Sequence, residues 1–136
     1  MNKRILLLLI ISFSAGINFN VCSESIAGPG AYTPEVYYIS PKSEAIIDIS
    51  NKKEIAFRWK PAPIPPGGRR EYRFKLIKGY GYNFIVTKVI DPRVYTVSVP
   101  ISEFEKGQTY TWQVQQRSNF QIGWNRDVFW SFEIKK

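Results

Sequence analysis

From residue 36 onward, apolar positions recur at every second residue, and no stripe of helical period interrupts them. Over 54–60, Ile55, Phe57 and Trp59 alternate with Glu54, Arg58 and Lys60. Over 71–77, Tyr72, Phe74 and Leu76 alternate with Arg73 and Lys75. The pattern repeats at 109–116, with Tyr110, Trp112 and Val114 against Thr111, Gln113 and Gln115, and at 128–135, with Trp130, Phe132 and Ile134 against Ser131, Glu133 and Lys135. Successive side chains of a strand point to opposite faces, so each segment has one large apolar face and one polar face directed to solvent. Shorter runs rich in Val, Ile, Tyr and Thr at 36–40, 45–49, 83–90 and 94–99 lie between clusters of Gly, Pro, Asn and Asp and bring the strands to eight. A single open sheet would leave these apolar faces wet, whereas two stacked sheets share a core about 10 Å thick. The expected fold is all-β, an antiparallel two-sheet sandwich over 36–136.

The first 35 residues read differently. Lys3 and Arg4 precede an apolar run over 5–13, the order of a secretory signal peptide. Small residues place the cut after Ser23 or after Ala27. Two alternatives stand beside cleavage: lipid attachment at Cys22, whose preceding Phe19-Asn20-Val21 is unlike a lipobox, and an uncleaved anchor over 5–21, which is at the short limit for spanning. A Gly/Pro-rich lead-in over 24–35 follows, and no second apolar run is long enough to span. The expected location is secreted, periplasmic or envelope-bound.

Composition narrows the chemistry. The chain has no histidine and a single cysteine, which lies in the export segment, so histidine-based nucleophilic sites, zinc sites and disulfides are all disfavoured. No metal or cofactor is expected. The net charge of +8 falls to +6 when Lys3 and Arg4 are removed, and the alternation spreads the excess over both sheets. Arg69-Arg70-Glu71-Tyr72-Arg73 interleaves cations with aromatics, but Tyr72 and Phe74 belong to the buried face, which argues against nucleic acid. Glu103 and Glu105 are the closest carboxylate pair and the only basis for a small hydrolase, the third and weakest reading.

The spacing of these motifs resembles the fibronectin type III module. The run Ile55-Ala56-Phe57-Arg58-Trp59-Lys60-Pro61 is similar to its strand B, with Trp59 as the core tryptophan. Tyr72, within Glu71-Tyr72-Arg73-Phe74-Lys75-Leu76, is similar to the strand C tyrosine that packs beside it. In Phe104-Glu105-Lys106-Gly107-Gln108-Thr109-Tyr110-Thr111-Trp112, Tyr110 matches the tyrosine that closes a corner onto upstream backbone, with Phe104 and Gly107 in support and Trp112 following. Phe104 stands where the family usually has Leu. The resemblance implies a binding or spacer module, commonly extracellular, with no cofactor and no catalysis.

It also implies that the B–C and F–G loops meet at one end. The first, 61–70, is stiffened by Pro61, Pro63, Pro65 and Pro66 and contains Ile64, Arg69 and Arg70. The second, 117–127, carries Arg117, Phe120, Trp124 and Arg126. Aromatic side chains and arginine dominate interface energetics, so these residues are the candidate contacts for a protein partner. The competing expectation is that Phe120 and Trp124 cap the open end of the core, with Arg117 and Arg126 solvated. At the other end, Tyr80 and Tyr82 are a candidate platform for a glycan, the reading of the chain as a carbohydrate-binding module. Against it stands a loop whose tyrosines lean on their own sheet.

Overall fold

Strands form where the alternation runs, and turns rich in Pro, Gly or Asp end most of them. The structure, a computed structural model, describes residues 35–125 and 127–136. The expected export segment with Cys22, the lead-in before residue 35, and Arg126 lie outside the described residues. In chain order the strands are β1 (Tyr37–Ser40), β2 (Ala45–Ile47), β3 (Glu54–Lys60), β4 (Arg70–Lys78), β5 (Phe84–Ile90), β6 (Thr96–Pro100), β7 (Thr109–Ser118) and β8 (Trp130–Ile134). A short 3-10 turn, Ile101–Glu103, links β6 to the corner before β7.

The strands build a three-stranded sheet ordered β1-β3-β6 and a five-stranded sheet ordered β2-β8-β7-β4-β5. This is an immunoglobulin-like sandwich with the sheet arrangement of fibronectin type III, in which β3, β4 and β7 stand as strands B, C and F. One pairing departs from an all-antiparallel sandwich: β2 runs parallel to β8. The chain leaves the small sheet at Ser40-Pro41, turns through Glu44 at a φ of 63°, and joins the large sheet with the same direction as its last strand.

The inward faces meet in one aromatic core. Phe57 lies at its centre, with ring centroids 5.1 Å from Phe74, 5.2 Å from Trp112 and 5.8 Å from Phe132, so it joins both sheets. Trp59 meets Tyr72 edge-on at 5.7 Å, as the resemblance implies. Tyr38 stacks on Trp130 and meets Trp112 edge-on, while its hydroxyl donates to Val128 O at 2.7 Å and accepts from the Val114 N–H at 3.0 Å. Burial raises the Tyr38 phenol well above the ordinary tyrosine range and lifts Tyr72 to about 12. Each large buried side chain contributes about 1.5–3 kcal/mol, so this core can hold the fold without a disulfide.

Three strands are cut back by two residues at one end, where other hydrogen bonds replace the ladder. β2 stops at Ile47 because the Asp48 carboxylate accepts the Ser50 N–H at 3.0 Å and turns the backbone. β6 begins at Thr96 rather than 94 because Asp91 holds the Arg93 N–H and guanidinium in a tight turn, which also keeps the Asp91 carboxyl at about 2. β8 begins at Trp130 rather than 128 because Asp127 and Val128 bond to side chains of β7 and β1 instead of to a neighbouring strand.

The corner before β7 has the expected form. The Glu105 N–H donates to the Tyr110 hydroxyl at 2.7 Å, and Phe104 packs edge-on against the Tyr110 ring at 5.0 Å. Gly107 turns the chain at a φ of +73°, where a Cβ would also come within 3.2 Å of Lys136. Tyr110→Phe is expected to keep the fold but lower its stability by about 1 kcal/mol, because the Glu105 N–H loses its acceptor. Urea unfolding followed by tryptophan fluorescence reads this directly.

Candidate functional site

The two loops proposed to act together are clasped. The Arg69 N–H donates to Asn119 Oδ1 at 2.6 Å, and the Asn119 N–H donates to Arg69 O at 3.0 Å. Gly68 lies between Ile64 and Phe120, whose side-chain carbons are 3.2 and 3.4 Å from where a Cβ on it would stand. The Arg70 guanidinium is turned inward onto Ala62 O, and the buried Gln116 side chain bonds both the N–H and the carbonyl of Ala62. Ile64, Arg69 and Phe120 therefore share one tip, with Arg69 and Phe120 exposed and Ile122 81% exposed. Arg70 braces the tip from within.

Trp124 is elsewhere. Neither a cap on the open end of the core nor a free contact, it lies over the outer face of the five-stranded sheet between two guanidinium groups. Arg73 of β4 and Arg117 of β7 each stand 4.6 Å from its ring centroid. Arg117 also pairs with Glu71, and Arg73 donates to Gln115 Oε1 at 2.8 Å. Next to it, Asp127 Oδ1 accepts from Gln113 Nε2 at 2.6 Å and from Gln115 Nε2. Asn125 exchanges backbone and side-chain bonds with Gln116. The loop is laid back along its own strand.

Two expectations are corrected by this arrangement. Thr111, Gln113 and Gln115, expected to face solvent, are buried, Gln113 completely. Arg117, expected to be solvated if the loop capped the core, is held by an aromatic ring and a carboxylate. Phe120 likewise stays half exposed instead of entering the core. Lys75, beside this cover, is held below the ordinary lysine range by burial and by neighbouring Arg73.

Towards the β4–β5 turn Ile77 and Thr111 are also buried, and exposed tyrosines rise beside them. Tyr80 and Tyr82 are 79% and 92% exposed, so they do not lean on their own sheet. On one side of Tyr80 a hollow of about 300 Å³ is lined by Ile77, Gly81, Tyr82, Thr111 and Phe129. On the other side a hollow of about 230 Å³ is bordered by Glu44, Ile46, Thr109, Ser131, Phe132 and Glu133. None of these bordering residues except the tyrosines was legible as a site, because they come from four separate stretches of chain. Elsewhere Glu105 pairs with Lys78 at 2.7 Å and Asp48 with Lys135 at 3.0 Å. No group of three potential metal-ligating side chains occurs among the described residues, and no helix among them is long and apolar enough to cross a membrane.

No family model and no curated protein matches the sequence. Among solved structures, the FN1-FN3 domains of chicken CNTN1 are similar over 81% of this chain, with 11% identity and a TM-score of 0.47. The chain spans 34% of that structure's length. Strand order and register define the sandwich.

Replacing Asp127 with Ala leaves the Gln113 and Gln115 amides without their shared acceptor. Backbone hydrogen exchange is then expected to accelerate over 119–129 and along β7 while β3 and β6 stay protected. Trp124→Ala, which removes two cation–π contacts, should lower stability by about 1–2 kcal/mol in urea unfolding.

Proposed function

We propose that this chain is an exported, non-catalytic binding module that contacts a protein partner through the tip made by its B–C and F–G loops. The Arg69–Asn119 clasp carries the reading, because it turns two loops distant in sequence into one preformed surface. On that surface Phe120 and Ile122 are exposed beside Arg69 and a proline-stiffened backbone. A surface ordered before contact loses little conformational entropy on binding, and an aromatic residue with arginine supplies the anchors. The cation-then-apolar order of residues 3–13 supports export to a bacterial envelope or beyond. The partner is a protein of that compartment, and the contact requires no metal or cofactor.

A photo-crosslinking residue introduced at Ile122, in cells of the producing organism, tests this. It is expected to yield one discrete protein adduct that disappears when Arg69→Ala and Phe120→Ala are added. The same probe at Val89, exposed on β5, should not yield it. Equal adducts from both positions, or none from Ile122, would overturn the reading.

A further inference from the structure

The surface beside the β4–β5 turn combines two kinds of hollow around one side chain. Tyr80 separates an apolar hollow floored by Ile77 and Phe129 from a polar one bordered by hydroxyls and carboxylates. A pyranose ring has matching parts, an apolar C–H face and a rim of hydroxyl groups. We propose that this cleft binds a neutral or amino-substituted hexopyranose chain, in a site separate from the loop tip.

Tyr80 and Tyr82 present flat apolar rings to water, the geometry that a sugar's C–H face requires. Thr109 and Ser131 offer hydroxyls that donate or accept, and Glu44 and Glu133 accept strongly from hydroxyl groups. Register fixes this set: Ile46 pairs with Glu133 across β2 and β8, Glu133 with Thr109 across β8 and β7, and the Glu44 N–H donates to Ser131 O at 2.6 Å. Among the described residues neither Glu44 nor Glu133 forms an ion pair, although the chain carries a net positive charge. Their charge selects the ligand, since uronates and phosphorylated glycans are repelled while an amino group is attracted.

A heteronuclear NMR titration of the exported chain tests the site with cellotetraose, tetra-N-acetylchitotetraose, its deacetylated form, a tetragalacturonate and a Lys-Phe-Lys peptide. The first three sugars are expected to shift amides at 44–46, 77–82, 109–111 and 129–133, and the tetragalacturonate is not. Tyr80→Ala, at a position exposed enough to leave the fold intact, should weaken binding roughly ten-fold. Glu133→Gln should weaken the deacetylated sugar several-fold more than the neutral ones, whereas Phe120→Ala should change nothing. The proposal is overturned if none of the three sugars shifts these amides, if tetragalacturonate binds more tightly than they do, if the peptide alone occupies the cleft, or if Tyr80→Ala leaves the affinity unchanged.

Discussion

Strand β7 is buried on both faces, and the loop beside it supplies acceptors for the amide groups on its polar side. Inward, Tyr110, Trp112 and Val114 pack in the core. Outward, Thr111, Gln113 and Gln115 are removed from water, and buried amides without partners would each cost about 1–3 kcal/mol. Asp127 accepts from both glutamines, Thr111 donates to Gly79 O at 2.7 Å, and Trp124 lies across the arginines on either side. The F–G loop therefore folds back along the sheet, leaving residues 119–122 at the tip and Tyr80 and Tyr82 exposed beyond it.

The same constraint changes what the positive charge means. Arg73 and Arg117 are consumed in holding Trp124, and Arg70 in holding Ala62, so much of the basic character of β4 and β7 is internal support. Arg69 is the exposed arginine at the tip, with Phe120 and Ile122 beside it. At the opposite end the local sign reverses, since Glu44 and Glu133 border the cleft beside Tyr80. A net charge for the whole chain describes neither surface.

The sandwich was legible because alternation reports directly which side chains must leave water. Ile55, Phe57 and Trp59 are buried and Arg58 and Lys60 exposed, and the Tyr110 corner closed as its spacing implied. Alternation is silent about a second layer over the polar face. Gln113 and Gln115 read as solvent-facing because an amide suits water and a carboxylate acceptor equally, and only the position of Asp127 distinguishes the two. Trp124 was legible as important but not as to place, since its partners lie on two strands. The cleft was the least visible feature, because Glu44, Thr109, Ser131 and Glu133 are neighbours only through the pairing of β2, β8 and β7, including the parallel pair that no local pattern announces.

The separation of tip from cleft depends on Trp124 lying over the outer face between Arg73 and Arg117. Side-chain proton chemical shifts of these arginines measure that placement, because protons above an indole ring move upfield. The side-chain protons of both arginines are expected to be displaced upfield and to return together to ordinary values in Trp124→Ala. If neither arginine is displaced in the unsubstituted chain, the loop does not cover the sheet and the division into tip and open cleft is wrong.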